Sequence, residues 1–164
     1  MIEMIRVDDR LIHGQVALLW SKELQLNRII VANDNAAKSE IQKNALLLAA
    51  PTGIKVAVVP VTKAIQLAND PRSKSLKILL IVNNIKDFHQ LVENVEESPK
   101  LDIANYGRMA GDLKTKKKLT ETVYLTDEEI KLVKDLNQRN SNLVYQPLPN
   151  DNPTKFVTLM EAEK

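Results

Sequence analysis

Cysteine is absent from the 164-residue chain, which removes disulfide frameworks, thiolate zinc sites, iron–sulfur clusters and cysteine nucleophiles. Histidine is nearly as scarce: two residues, His13 and His89, far apart in sequence and a poor basis for a metal centre. Glycine occurs 4 times, never as GxGxxG, GxxxxGK[ST] or GxSxG, which argues against nucleotide binding and serine hydrolysis. Neither charge sign dominates, with 23 Lys+Arg against 21 Asp+Glu and a net charge of +2. A dedicated nucleic-acid binder carries a concentrated basic footprint instead. The longest plain apolar stretch, Ala45 to Ala50, falls far short of the ~18 residues of a membrane span. Met1-Ile2-Glu3-Met4 offers neither the basic start nor the apolar run of a signal peptide. The expectation is a cytoplasmic domain.

What is present is an ordinary globular balance, 44% hydrophobic and 27% charged, enough for one sizeable core. Short aliphatic runs alternate with helical patterns. Strands are predicted at Ile2–Val7, Arg28–Ala32, Ile54–Val61, Lys77–Val82 and Leu101–Ala104, with shorter ones at Thr122–Leu125 and Leu143–Gln146. Ala37, Ile41, Ala45, Leu48 and Ala49 fall on one helical face, as do Phe88, Leu91, Val92 and Val95. Thr126 and Glu129 form a capping box ahead of Ile130, Val133 and Leu136. A last helix is expected from about Pro153 through Met160. This alternation predicts one α/β domain over residues 1–164, with an open, mainly parallel β-sheet and helices on both faces.

Such sheets bind ligands beyond the C-terminal ends of their strands. That rule directs attention to Asp8–Gly14, Asn33-Asp34-Asn35, Asn83-Asn84 and Asn105–Asp112. The first is the richest, because Arg6, Asp8, Asp9, Arg10 and His13 crowd one strand-to-helix turn. His13 stands just ahead of a helix marked by Val16, Leu19 and Trp20, whose first amides are free for an anion. Gly14 permits close backbone approach, and Arg6 and Arg10 carry planar forks suited to phosphate oxygens. An imidazole can accept a phosphoryl group while such donors neutralise the oxygens. The bland alternative is a structural histidine satisfied by Asp8 or Asp9, with the arginines in surface ion pairs. A third reading is a hydrolase or isomerase with His13 and Asp8 as acid and base.

Elsewhere the plain readings prevail. His89 reads as a helix-surface residue without carboxylate and arginine company, and Trp20 as core or interface. The Lys114–Lys118 run reads as a solvated face or a docking patch for an acidic partner. Asn105-Tyr106-Gly107-Arg108-Met109 reads as a turn near the His13 edge.

The segment Arg6-Val7-Asp8-Asp9-Arg10-Leu11-Ile12-His13-Gly14-Gln15-Val16 resembles the active-site motif of IIB components of the mannose/fructose/sorbose family of sugar phosphotransferase systems. The resemblance extends to Ile30-Val31-Ala32-Asn33-Asp34, to the Asn105-x-Gly107 turn and to Gln146-Pro147-Leu148-Pro149. It implies an open parallel sheet and a phosphocarrier activity. The phosphorylated histidine would be His13, through Nδ1, with Arg6 and Arg10 on phosphate, Gly14 and Gln15 supplying amides, and Asp8 orienting. It implies no cofactor, metal or nucleotide. The partners implied are a phosphorylated IIA protein, either a separate chain or a portion lying ahead of Met1, membrane subunits IIC and IID, and a sugar acceptor, with peripheral attachment to the transporter. Self-association and the identity of the sugar stay open, as does a regulatory IIB-like protein that docks without relaying phosphate. Arg108 departs from the small residue common in relatives.

Overall fold

The computed structural model describes residues 1–108, 111 and 113–162. Met109, Ala110 and Asp112, which belong to the loop expected at Asn105–Asp112, lie outside them. The main sheet contains β1 (Ile2–Asp8), β2 (Arg28–Ala32), β3 (Lys55–Val59), β4 (Ile78–Val82), β5 (Lys100–Asn105), β8 (Leu143–Tyr145) and β9 (Thr154–Lys155). Its order is β3-β2-β4-β1-β5-β8-β9. Every neighbouring pair is parallel except β8–β9. The strands β6 (Lys117–Lys118) and β7 (Tyr124–Leu125) pair separately.

Strand alternation sorts the apolar side chains into two cores. Ile5 and Val7, Ile30 and Ala32, and Ile78, Leu80 and Val82 point to one face. There they meet Val61 and Ala64 of α4 (Val61–Asn69), Phe88 and Leu91 of α5 (Ile85–Asn94), Val133 and Leu136 of α6 (Asp127–Arg139), and Phe156 of α7 (Phe156–Ala162). Met4, Ile29, Val31, Leu79 and Ile81 point the other way, against Ala17 and Trp20 of α1 (Gly14–Leu24) and Ala36 of α2 (Asp34–Lys38). β4, apolar and buried throughout, fills the middle of the sheet as a strand covered on both faces should. The α/β architecture with helices on both faces is therefore the one expected from sequence.

Several boundaries differ for identifiable reasons. The third strand stops at Val59, since Pro60 cannot donate to a ladder; Val61 opens α4 instead, its amide held by the Asp34 carboxylate at 2.9 Å. The predicted helix face over residues 37–49 is broken at Ser39, whose hydroxyl caps α3 (Glu40–Leu48) through the Gln42 amide. That restart leaves Leu46 and Ala49 against the core, while Ile41 and Leu48 are 85% and 87% exposed. Residues 124–125 join the small hairpin rather than the main sheet. The last helix begins at Phe156, after β9.

Candidate functional site

The chain leaves β1 and β2 toward one edge of the sheet and leaves β4 and β5 toward the other. This opens a crevice between β1 and β5 above their C-terminal ends. The loop 9–13 enters it from β1, and Asn105–Gly107 borders it from β5. The two loops are tied by the Asp9 amide donating to the Asn105 carbonyl at 2.9 Å. The Gly107 backbone lies near the Asp9 carboxylate and partly offsets the rise in its pKa.

The turn is built around Asp8, the last residue of β1. Its carboxylate accepts from the Arg10 amide at 3.0 Å and its carbonyl from the Leu11 amide at 3.0 Å. Leu11 is held left-handed at φ 58, a conformation that costs a branched residue about 1 kcal/mol or more. Leu11 and Ile12 bury their side chains beside α1, and that burial fixes the loop. His13 follows in extended conformation as the N-cap of α1.

The side chains of Asn33, Ser39, Asn84 and Thr126 cap α2, α3, α5 and α6, whereas no side chain caps α1 and its first turn holds no acidic residue. Its first amides, at Gly14 and Gln15, are thus left for an external anion. Among the described residues, two buried side-chain polar atoms lack any hydrogen-bond partner: His13 Nδ1 and Asp9 Oδ2. Both belong to this one loop. Buried orphans cost free energy and are rare, so their coincidence marks the place where the fold reserves polar groups for something else.

The charged residues divide into two sets. Arg10 is exposed, and its guanidinium makes no hydrogen bond among the described residues, so it is available to an incoming oxyanion. Arg6 is 2% exposed and fully committed. It donates to Asp102, to the Gln146 carbonyl at 3.1 Å and to the Pro147 carbonyl at 2.9 Å, with Asp8 at 3.7 Å. Arg6 was expected on phosphate; here its terminal nitrogens are occupied by protein oxygens. Asp8, expected to orient the histidine, is spent on the Arg10 amide and Arg6. An acid–base pair of His13 with Asp8 is disfavoured on the same ground. Asp9 is the carboxyl left over; burial first, then the adjacent Asp8 charge, raises its pKa.

Sequence reasoning also missed Lys116, whose amine donates to the Gly107 carbonyl at 2.8 Å and lies near Asp9. The basic run therefore borders the site, which only the tertiary fold reveals. Arg108 is exposed and tethered to the Glu121 carbonyl at 3.2 Å. Trp20 is core, 2% exposed, with its indole donating to Pro147.

His89 does have carboxylate and arginine company, contrary to expectation. Its ring bridges Glu93, one turn along α5, and Asp135 on α6, and its hydrogen bond holds the Asp135 carboxyl below its usual range. His89, Glu93 and Asp135 have metal-ligand types. Both ring nitrogens are already taken, however, and Arg139 lies at 3.4 Å from Asp135 and 3.9 Å from Glu93. The cluster neutralises itself as a clamp between two helices. The Glu93 partner was legible at i+4; Asp135 was not.

No helix among the described residues is long and apolar enough to cross a membrane. Residues 2–164 match the family model for the PTS system sorbose subfamily IIB component. A probable phosphotransferase enzyme IIB component of Streptococcus pyogenes is 43% identical over 83% of this chain and 84% of its own length. The mannose-specific EIIAB component of Escherichia coli is 35% identical over 97% of this chain, which spans only 48% of that longer protein. The crystal structure of the IIBSor domain of the Klebsiella pneumoniae sorbose permease superposes with a TM-score of 0.90 at 29% identity, covering 100% of this chain and 98% of that one. The chain therefore belongs to the mannose/fructose/sorbose family of phosphotransferase-system IIB components.

Proposed function

We propose that this chain relays phosphate through His13. The observation that supports the reading best is the pair of orphaned polar atoms, His13 Nδ1 and Asp9 Oδ2, in the one loop that faces an uncapped helix start. A phosphorylated IIA protein docks over the crevice and presents its phosphohistidine. The lone pair of Nδ1 attacks phosphorus, the donor P–N bond breaks, and its electron pair returns to the donor imidazole. In the unbound protein Nδ1 is shielded from solvent, so the ring turns outward as the donor docks.

Arg10 and the amides of Gly14 and Gln15 carry the charge spread over the equatorial oxygens. In the second half-reaction a sugar hydroxyl, held by membrane subunits IIC and IID, forms the new P–O bond and releases its proton as the His13 P–N bond breaks. The neighbouring Asp9 carboxyl repels the phosphoryl group, which keeps phosphohistidine from becoming a trap. On this reading the chain works at the cytoplasmic face of a sugar transporter, with no cofactor required for the relay.

The test is transfer from a phosphorylated IIA protein. Wild type gains one phosphoryl group, and His13→Ala gains none while keeping its circular dichroism. Phosphorylation of His13→Ala at the wild-type rate would overturn the proposal.

A further inference from the structure

On the α1 side of the sheet, alternation brings Met4, Arg6 and Asp8 of β1 and Lys100 and Asp102 of β5 to one face. Arg6 and Asp102 are register partners across the parallel pair. The carboxylate of Asp102 is 0% exposed. One oxygen takes Arg6 Nη1, and the other accepts the Gln146 amide at 3.0 Å. Arg6 also lies 5.4 Å from the Trp20 ring centroid, with Lys100 at 5.7 Å from the same ring. Lys100 donates to the Gln146 side chain. Trp20 of α1 and the Gln146–Pro147 backbone together cover this part of the sheet.

An ion pair so deep costs desolvation that apolar side chains would avoid. Its location suggests what the charge is used for. Asp102 and the Gln146 carbonyl hold Nη1, and Nη2 donates to the Pro147 carbonyl while facing Asp8. Asp8 then sets the Arg10 amide and the left-handed Leu11 that present His13. The line runs from Asp102 through Arg6, across a 3.7 Å ion pair to Asp8, and on to the histidine loop.

We infer that Asp102 is a positioning residue for phosphoryl transfer, acting through Arg6 on Asp8 to hold the His13 loop in its reactive shape. The inference rests on His13 being the phosphorylated residue. If Asp102 loses its charge, Arg6 keeps its own and moves toward Asp8, the nearest remaining anion, which pulls Asp8 from the Arg10 amide. Asp102 touches neither phosphate nor histidine.

The experiment measures transfer from a phosphorylated IIA protein to wild type, Asp102→Asn, and the double variant Arg6→Met with Asp102→Asn. Asparagine keeps an oxygen for the Gln146 amide, and the double variant removes both charges so that none is left buried and unpaired. Wild-type phosphorylation on His13 is established first, so failure there is failure of the relay reading and not of this one. Asp102→Asn is expected to lower the transfer rate at saturating donor by about tenfold or more, with a smaller change in donor KM, as a misplaced reacting group does. The double variant melts close to wild type yet stays slow. In unphosphorylated, histidine-labelled protein, the His13 ring nitrogen resonances shift in both variants while those of His89 do not.

Wild-type transfer by Asp102→Asn overturns the inference. So does recovery of the rate in the double variant, which would make the pair packing alone. If Asp102→Asn does not fold, the double variant and its His13 resonances decide: unshifted resonances with wild-type transfer overturn the inference.

Discussion

Gly107 lies against the backbone of Tyr124 so closely that a Cβ at this position would stand 1.9 Å from the Tyr124 carbonyl oxygen. The residue is also left-handed, at φ +89. Its backbone lies near Asp9 and its carbonyl takes Lys116, so the close approach couples the site's border to the β6–β7 hairpin.

Gly107→Ala should therefore cost about 3 kcal/mol or more in urea unfolding, combining backbone strain with a clash that neither strand can relieve cheaply. Gly53 is the control. It shares a positive φ of +86 but has open space around it, so Gly53→Ala should cost only about 1 kcal/mol. Equal costs would show that the contact with Tyr124 does not constrain the turn.

The capping box at α6 can be separated from function. Thr126 accepts the Glu129 amide at 3.2 Å, Glu129 returns the bond to the Thr126 amide at 2.9 Å, and its second oxygen holds the Tyr106 hydroxyl. Thr126→Ala should lose about 1 kcal/mol of stability and leave the rate of phosphoryl transfer unchanged. A slowed transfer in a folded variant would place Tyr106 and α6 in the site's support.

Legibility followed the range of the interaction. The capping box, the buried β4 and the strand spans of β1 and β2 were readable because each depends on neighbours a few residues away. Arg10 and His13 stood out as candidates because a strand-to-helix turn with such residues has few uses. The buried partners of Arg6 were not legible, because Asp102, Gln146 and Pro147 lie far along the chain and reach its guanidinium only in the fold. Asp9 and Asp8 are indistinguishable in sequence; only the direction of each side chain separates the one spent on the turn from the one left free. The stripe on residues 37–49 failed because Ser39 prefers to cap a new helix than to continue the old one.

Burial raises the Asp102 carboxyl to about 6, with the adjacent Arg6 charge opposing it. The native state thus binds this proton more tightly than the unfolded chain, whose aspartate titrates near 3.8. The stability linked to Asp102 is fully present below the unfolded value and declines as pH rises from about 4 to about 6, then levels off. Urea unfolding of wild type against Asp102→Asn should show this extra slope in the wild type only. Parallel profiles would contradict the raised carboxyl.

Arg10→Lys should slow transfer while leaving urea stability within about 0.5 kcal/mol, because an exposed ammonium replaces the charge but not the fork. An unchanged rate would remove Arg10 from the phosphate cradle.

The central claim is that one nitrogen, His13 Nδ1, receives the group. Ring-nitrogen NMR of histidine-labelled protein, recorded before and after phosphorylation by a IIA donor, tests it most directly. The account predicts a phosphorus-coupled Nδ1 at His13 and an unchanged ring at His89. Phosphorus on His13 Nε2, on His89, or on neither ring of a protein that has gained phosphate would contradict it.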